Sequence, residues 1–310
     1  MIIFVNTQAG GGTAGKKWKK LVTVQPSSIF RPNAVLTHGR ALTESAVRQA
    51  LDDGEREFVA AGGDGTVNML LNTLLALCGP GEVESLRLGA IGIGSSNDFH
   101  KPFTERSITE GIPTRLDFSS ASPRDVGCVT YQQSGKLLTR HFLINASIGV
   151  AAEANHLFNH PDRLLRLIKR YHTGSAILYA ALKTIAGFEN TAFEISTPET
   201  GTFCTRVANL GITKSPHFSG DFSYGGPLSP DNGRFTVYLC RDLSRTELVA
   251  LLRKLGTGIF AATEKTYSWK TSSIRLASER PFPVEYDGEI ITTTSATFTI
   301  LPRYLRVCTC

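Results

Sequence analysis

The spacing of hydrophobic residues divides the chain into two regions with different patterns. In the first region, the strand-like runs IIFVN, NAVLT, FVAAGG and LRLGAIGIG are separated by segments with helical spacing. Strands that alternate with helices favour a parallel sheet whose strands are joined by crossover helices. One of these segments, VNMLLNTLLAL, carries leucine on most of its circumference, so it predicts a largely buried helix.

Beyond residue 124 the pattern changes to short alternating runs. Two strand-like runs flank a QQSGK turn, and a helical stretch follows at residues 153–186. The runs TAFEIST, TFCTRVANLGI, GRFTVYLC, TYSWKTSSIRLA, VEYDGEII and ATFTIL come next, and their alternation is typical of antiparallel strands. One helix interrupts them, with Ser244 and Glu247 spaced as a capping box. We therefore expect an α/β domain with a parallel, Rossmann-like sheet and then a mainly antiparallel β-sandwich domain.

Composition and charge narrow the class of protein. The 310 residues are 41% hydrophobic and 19% charged, which is typical of a globular chain. No apolar run reaches the roughly 18 residues of a membrane span, and the N-terminus enters a strand without a signal-peptide pattern. Six cysteines without a C-x-x-C pair indicate reduced thiols and a cytoplasmic location. The net charge of +6 suits an anionic substrate or an acidic lipid surface, and the absence of any nucleic-acid-binding motif predicts no such partner.

The opening loop, GGGTAGKK at residues 10–17, nearly fits the phosphate-binding pattern G-x-x-x-x-G-K-[ST]. Gly10, Gly15 and Lys16 match, but Lys17 stands where that pattern needs a hydroxyl to bind magnesium. The loop is therefore better explained as a glycine-rich turn of another kind. For its lysines we favour a solvated helix face over direct phosphate contact; they are Lys16, Lys17, Lys19 and Lys20.

The strongest chemical signal is AAGGDGTVNMLLN at residues 60–72. A buried strand stops at two glycines, a carboxylate follows at Asp64, and a helix begins. Glycines let backbone N–H groups approach a polyanion, and the start of a helix adds partial positive charge. A carboxylate in such a turn makes sense when a metal cation bridges it to phosphate. A glycine-rich turn without a ligand is the structural alternative.

GGDGTVN at residues 62–68 resembles the signature of the diacylglycerol kinase catalytic domain family. That family includes bacterial lipid kinases and the sphingosine and ceramide kinases, and it belongs with NAD kinases to a wider superfamily. Other motifs of the family occur in order along nearly the whole chain, at residues 6–10, 92–98, 124–127, 229–233 and 287–289. The sequence departs from the family pattern where Thr7 and Gly92 replace proline and Asn232 replaces an aspartate.

The resemblance implies roles for individual residues. Glu289 would be the general base that accepts the proton of a lipid hydroxyl, because a partly desolvated carboxylate has a raised pKa suited to that task. Asp64 would act with it. Magnesium would be held by Asp64, Asp98 and Asp125, with Asp231 as a weaker candidate. The implied nucleotide contacts are Asn6, Gly10, Gly11, Thr37, Gly62, Gly63, Asp64, Gly65, Thr66, Asn68, Ser95 and Asn97.

Two of these assignments have structural alternatives. Asp-Gly between strand-like runs, as at Asp287 and Gly288, is first of all a hairpin turn. Asn97 equally suits a cap of the next turn, because asparagine side chains commonly bond the nearby backbone.

The resemblance predicts an ATP- and Mg²⁺-dependent lipid kinase with catalysis in the cleft between its domains. Residues 1–123 with 299–310 would bind the nucleotide, and residues 124–298 would bind the lipid alcohol. We expect transient contact with the inner membrane face and a part in phospholipid metabolism, with a homodimer as a further option. The alternatives are an NAD kinase-like or other small-molecule kinase and a non-catalytic nucleotide- or lipid-binding relative.

One helical segment, PDRLLRLIKRYH, has two interpretations. Its basic residues are predicted to line one face, opposite Leu164, Leu165 and Ile168; they are Arg163, Arg166, Lys169 and Arg170. An ordinary amphipathic helix on a domain surface explains this pattern. An interfacial helix that docks on anionic lipid explains it as well.

Overall fold

The computed structural model describes residues 1–24, 34–37 and 40–309. Asn33, the first residue of the predicted strand NAVLT, and Cys310, the last of the six cysteines, lie outside the described residues. The five described cysteines are free thiols. None of the helices in the described ranges has the length and apolar character that a membrane crossing requires.

The chain forms two compact units. One consists of Met1–Arg124 and Arg303–Cys310, and the other of Asp125–Pro302. This division lies close to the boundaries expected from the sequence, after residue 123 and before residue 299. The order of an α/β domain followed by a mainly β domain is confirmed.

Strands and helices alternate in the N-terminal unit. The strands are β1 (Ile2–Val5), β2 (Ala34–Leu36), β3 (Glu57–Gly62), β4 (Arg87–Gly92), β5 (Ile108–Thr109), β6 (Ile112–Arg115) and the start of β7 (Asp117–Gln133). The helices are α1 (Ala14–Val24), α2 (Arg40–Asp52), α3 (Asp64–Leu77) and the short α4 (Pro80–Val83), with 3₁₀ turns at Gly10–Gly12, Asp98–His100 and Glu105–Ser107.

The N-terminal strands pair mostly in parallel. β1 lies between β2 and β3, β3 pairs with β4, and all three pairings are parallel. The antiparallel β6 joins β4. Arg306 and Val307, near the end of the chain, pair in parallel with Arg87 and Leu88 of β4. Because parallel strands bring their carboxyl ends to one edge, the loops after β1, β3 and β4 lie together there.

The C-terminal unit is mainly antiparallel. Its strands are the rest of β7, β8 (Lys136–Phe142), β9 (Asn145–Gly149), β10 (Thr191–Thr197), β11 (Gly201–Thr213), β12 (His217–Phe218), β13 (Phe222–Ser223), β14 (Phe235–Arg241), β15 (Thr266–Thr271), β16 (Ser273–Tyr286) and most of β17 (Glu289–Thr309). Pairings such as β10 with β11, β11 with β14 and β16 with β17 are antiparallel. A core that includes Phe142, Phe235 and Phe298 fills this unit.

The helical stretch predicted at residues 153–186 consists of three helices. They are α5 (Val150–Asn159), α6 (Arg163–Tyr171) and α7 (Thr173–Gly187). Pro161 lies in the first break, where its ring and missing N–H disfavour a continuous helix. The later helix α8 (Arg245–Gly256) begins with the predicted capping box, in which Ser244 accepts from the N–H of Glu247 and Glu247 accepts from the N–H of Ser244.

Candidate active site

Three loops of the N-terminal unit meet at Gly94. A Cβ on Gly94 would lie 2.3 Å from the Cα of Gly63, so only glycine permits this approach of the two backbones. A Cβ on Gly10 would lie 3.3 Å from the carbonyl oxygen of Ile93. Lys17 Nζ donates a hydrogen bond to the carbonyl of Gly94 at 3.0 Å. The structure therefore brings the glycines predicted after β1, β3 and β4 into one cluster.

Asp64 connects two of these loops. It is the first residue of α3, and its Oδ2 and Oδ1 accept the backbone N–H groups of Asp98 and Phe99 at 3.1 and 2.9 Å. The start of a helix is where a negative charge is favoured by the helix dipole. The predicted catalytic aspartate is thus held firmly at the N-terminus of α3 and also orders the loop after β4.

Asn6 and Thr66 form a second link between loops. Asn6 Nδ2 donates to the Thr66 hydroxyl at 3.1 Å, and Thr66 is buried. Thr37 is buried and donates through Oγ1 to the carbonyl of Val5, so its hydroxyl ties β2 to the end of β1. Asn68 is buried on α3, where its Oδ1 accepts from Asn72. These contacts order the loops, and the nucleotide contacts of these residues stay predictions.

The loop after β4 is capped by Asn97. This residue has a left-handed backbone, with φ of 52°, and its side chain bonds both backbone groups of Gly94: Oδ1 accepts the N–H at 3.1 Å and Nδ2 donates to the carbonyl at 3.4 Å. The side chain makes no capping bond to the following turn, Asp98–His100, so the predicted cap of the next turn is wrong: Asn97 bonds back to Gly94 and closes the loop before it. Ser95, in the same loop, is exposed.

Asp98 is buried beside this cap. Lys101 Nζ pairs with its Oδ1 at 2.9 Å, and both side chains are largely buried. The two acids predicted to bind magnesium in this unit, Asp64 and Asp98, are joined by the hydrogen bond from the Asp98 N–H. Carboxylate oxygens are suitable Mg²⁺ ligands, so the chemistry of this pair fits the metal. In the described part of the chain, no three His, Cys, Asp or Glu side chains form a ready metal cluster.

The replacement of proline by Gly92 has a steric explanation. A Cβ on Gly92 would lie 2.6 Å from Pro113 Cγ and 3.0 Å from His100 Cδ2. His100 is buried, and burial, together with the charge of Arg115, lowers its pKa to about 3. In this chain a neutral histidine and Pro113 of β6 therefore fill the space that a larger residue 92 would need.

In the C-terminal unit, Asp287 and Gly288 form a two-residue hairpin turn with φ of 45° and 89°, and Tyr286 pairs with Glu289. The carboxylate of Asp287 is buried and accepts three backbone N–H groups, from Leu143, Ile144 and Asn145, at 2.7 to 3.1 Å. This hairpin role is confirmed, and the three bonds of Asp287 hold the backbone of the turn against the segment between β8 and β9.

Glu285 and Glu289 flank the hairpin turn in different surroundings. Glu289 is exposed, so the partial desolvation expected of the general base is not a feature of this side chain. Glu285 is buried and accepts from the Ser147 hydroxyl at 2.7 Å and from the Gly288 N–H at 2.8 Å. The base role of Glu289 stays a prediction.

Asp125 lies in the C-terminal unit and forms a buried ion pair. Its Oδ2 accepts from Lys214 Nζ at 2.7 Å and from the Gly233 N–H at 2.7 Å. Lys214 Nζ also donates to Asn232 Oδ1 at 2.9 Å. The residue that replaces a family aspartate therefore accepts a hydrogen bond from this lysine. Asp231, two residues before Gly233, is exposed. These contacts give no support to the magnesium roles of Asp125 and Asp231, which stay predictions.

An apolar pocket lies among α5, α7, α8 and the β12–β13 hairpin of the C-terminal unit. Its cavity volume is about 70 Å³, and its lining is dominated by leucine, isoleucine, alanine and phenylalanine side chains. Its polar lining residues are Asn155, Asn209 and Ser219. The Asn209 amide is engaged by protein, because it donates to the Tyr224 hydroxyl and accepts from the Ala151 N–H. The pocket could not be predicted from local sequence patterns, because its walls come from three helices and a hairpin that are far apart in the chain.

Sequence reasoning also misjudged one lysine. Lys16, Lys19 and Lys20 are exposed, as the solvated-face interpretation expects, but Lys17 is partly buried and bonded to Gly94. Its position immediately after Gly15 and Lys16 in a Walker-like sequence was the signal that could have identified it. The prediction of a solvated face was therefore wrong for Lys17, because α1 carries this side chain towards the loop after β4.

Two family models match the chain. Residues 1–126 match the diacylglycerol kinase catalytic domain, and residues 145–309 match the YegS C-terminal NAD kinase beta sandwich-like domain. Together with the fold and the clustered glycine loops, these two matches place the chain in a class of two-domain kinases. The chain belongs to the diacylglycerol kinase catalytic domain family.

Curated relatives are similar over most of the chain. A diacylglycerol kinase of Staphylococcus haemolyticus is 24% identical and covers 81% of this chain and 70% of its own length. One from Staphylococcus saprophyticus is 24% identical over 90% of this chain and 85% of the relative. A Shewanella frigidimarina protein with the name "Probable lipid kinase YegS-like" is 23% identical over 84% of this chain and 78% of the relative.

Solved structures share the fold. The structure of a diacylglycerol kinase from Bacillus anthracis has a TM-score of 0.67 and 17% identity, with 99% of this chain and 95% of that chain covered. A yeast NADH kinase bound to NADH has a TM-score of 0.50 and 11% identity, with 99% and 81% covered. At these identities the likeness shows the fold alone.

Proposed function

We propose that the protein is an ATP- and Mg²⁺-dependent lipid kinase that transfers the γ-phosphate of ATP to the hydroxyl of a diacylglycerol-like lipid. The observation that carries the lipid acceptor is the apolar pocket of the C-terminal unit. A pocket whose polar lining amounts to Asn155, Asn209 and Ser219 offers apolar contacts to part of a lipid chain and little to a charged acceptor. The names of the curated relatives agree with this acceptor class.

The nucleotide belongs, in this proposal, at the Rossmann-like sheet edge where Gly10, Gly63 and Gly94 cluster. Backbone N–H groups of these loops and the N-terminus of α3 would bind the phosphates. Lys17, already at the cluster through its bond to Gly94, would add a positive charge beside them. Asp64 and Asp98 would hold Mg²⁺, which when bound neutralises charge on the phosphates during transfer.

Glu289 supplies the base in this proposal. Its exposed carboxylate stands directly after the rigid turn that Asp287 fixes through three backbone hydrogen bonds. A lipid hydroxyl must lose its proton as it attacks the γ-phosphorus, and a positioned carboxylate can accept that proton. The acyl chain would remain in the apolar pocket of the same unit.

The direct test is transfer of label from γ-labelled ATP into a total lipid extract dispersed in detergent micelles, followed by identification of the labelled species. The proposal expects label in an organic-extractable phospholipid and none in NAD offered as an alternative acceptor. Label found in NAD alone would favour the small-molecule kinase. Tight ATP binding without transfer to either acceptor would favour a non-catalytic relative.

A further inference from the structure

We propose that the outward face of α6 docks the protein on an anionic phospholipid bilayer. The docking surface consists of Leu164, Leu167 and Tyr171 with the neighbouring Arg163, Arg166 and Arg170. The purpose of docking rests on the proposed lipid-kinase function, because the acceptor lipid would be drawn from the bilayer. The surface itself is argued from side chains of the C-terminal unit alone.

The apolar residues of this surface point away from the protein. Leu164 is 51% exposed, Leu167 54% and Tyr171 78%. At about 100° per residue, these three side chains fall within an arc of roughly 60° on the helix. Leu165 lies on the other side and is fully buried against Ala176 and Ala180 of α7. The helix is therefore anchored by Leu165, and folding does not account for the exposed arc.

Three arginines border the apolar arc. Arg163, Arg166 and Arg170 are exposed and lie within a second arc of roughly 60°, adjacent to Leu167 on the helix. Asp162, the acid that immediately precedes α6, caps the helix through the N–H of Leu165 and pairs with Lys183. Such a surface is complementary to a bilayer: the guanidinium groups can pair with lipid phosphates, and the leucines can enter the adjacent edge of the acyl region.

Lys169 does not belong to the basic border. Its ammonium lies 3.8 Å from the centroid of the Phe158 ring and donates to the Phe158 carbonyl at 3.1 Å. Burial lowers the pKa of this lysine. The sequence grouped it with the arginines, but the structure uses it to hold α6 against the end of α5.

The docking surface and the apolar pocket share supporting residues. Phe158, which Lys169 contacts, lines the pocket, and so does Ala180, which packs against Leu165. An anionic bilayer matches the exposed leucines, the arginines and the neighbouring apolar pocket together.

Vesicle binding without ATP tests the inference independently of catalysis. The full chain is sedimented with phosphatidylcholine vesicles and with vesicles that also contain phosphatidylglycerol. We expect binding to the anionic vesicles that weakens as salt is added. Arg166→Gln with Arg170→Gln should weaken that binding about 30-fold, since each interfacial arginine contributes about a factor of five. Leu167→Gln should weaken it as well.

Matched controls remove the same groups elsewhere. Arg253→Gln with Lys254→Gln takes two exposed cations from the end of α8, and Leu137→Gln takes an exposed leucine from β8. Both controls should bind anionic vesicles as the wild type does. Equal binding by the α6 variants and the wild type would overturn the inference. So would self-association of the wild type that Leu167→Gln abolishes, because the face would then belong to a second copy.

The same proteins separate this inference from the proposed function. If the protein transfers phosphate in detergent micelles but does not bind vesicles, the docking inference is rejected and the proposed kinase function stands. If the protein binds vesicles through α6 but transfers phosphate to no lipid, the proposed kinase function is rejected and the docking inference stands. When both hold, the α6 variants should lose activity on vesicles and retain it on a short-chain acceptor that is monomeric in water.

Discussion

The carboxylate of Asp64 accepts the backbone N–H of Phe99, with 2.9 Å between Oδ1 and the nitrogen. Its other oxygen accepts the N–H of Asp98. The aspartate of the GGDGT motif is therefore a structural acceptor for the loop after β4 as well as a proposed metal ligand. Metal binding needs the negative charge of the carboxylate, whereas accepting a backbone hydrogen bond needs only an oxygen. Substitutions that keep the oxygen but remove the charge therefore separate the two roles.

We expect Asp64→Ala and Asp64→Asn to lower activity alike but stability unequally. Alanine leaves two backbone N–H groups without their acceptor, at a cost of roughly 1–3 kcal/mol in the free energy of unfolding. Asparagine retains one acceptor oxygen, so its cost should be smaller, while loss of the negative charge should remove magnesium-dependent activity. Denaturant titration and a magnesium titration of turnover measure the two effects. Wild-type turnover by Asp64→Asn would contradict the metal role.

Glu289→Gln should lower turnover by about 100-fold or more without loss of stability. The side chain is exposed, so little packing is lost, while a general base contributes factors of this size. Nucleotide binding, measured by calorimetry, should survive.

Glu285→Gln is the matched comparison. This carboxylate is buried between Ser147 and Gly288, so its loss should destabilise the protein by roughly 1–3 kcal/mol. Full turnover in Glu289→Gln would reject that residue as the base.

Lys17→Met should raise the KM for ATP about 10-fold or more, because a charged hydrogen bond contributes roughly 1.5–3 kcal/mol. Lys17 reaches Gly94 in the glycine cluster, whereas the adjacent Lys16 is exposed. Lys16→Met should therefore leave the KM nearly unchanged. Steady-state kinetics on both variants decide the point, and equal effects would show that Lys17 has no special contact with the nucleotide.

Lys214→Met should lower the free energy of unfolding by roughly 3–5 kcal/mol, because it leaves the buried Asp125 carboxylate without its cation. The double variant Lys214→Met with Asp125→Leu should recover part of that loss. Denaturant unfolding of the single and double variants measures both. If Asp125 serves this ion pair rather than a metal, Asp125→Asn should keep the wild-type magnesium dependence, and a shifted dependence would restore its predicted metal role.

The stability of the N-terminal unit should depend on pH through His100. Its folded pKa of about 3 lies below the ordinary value of about 6.5, so the unfolded chain takes up a proton first as the pH falls. The free energy of unfolding should decrease from about pH 6.5 towards pH 3, by up to about 1.4 kcal/mol per unit, with no contribution above that window.

His100→Leu should remove this part of the pH dependence. The comparison is between the unfolding free energies of variant and wild type across the same pH range, since the pKa of His141 is lowered as well and adds the same slope to both. Parallel curves would contradict a neutral buried His100.

The sequence by itself determined the features that depend on local backbone preference. The order of strands and helices, the glycine turn after β3, the Asp287–Gly288 hairpin and the Ser244 capping box were all predicted. Each follows from residues within a few positions of one another, where positive φ, alternating burial or a cap leaves a direct mark.

Only the tertiary structure decided which side chains meet. Asp64 reaches Phe99 across 35 positions, Lys17 reaches Gly94 across 77, and Lys214 reaches Asp125 across 89. Sheet order brings such segments together, and no local pattern records the partner of a side chain in a distant loop. For the same reason the sequence did not indicate the ion pair of Asp125 with Lys214 and wrongly predicted Lys17 as solvated. It also placed Leu164 on one face with Leu165, whereas the structure exposes Leu164 and buries Leu165.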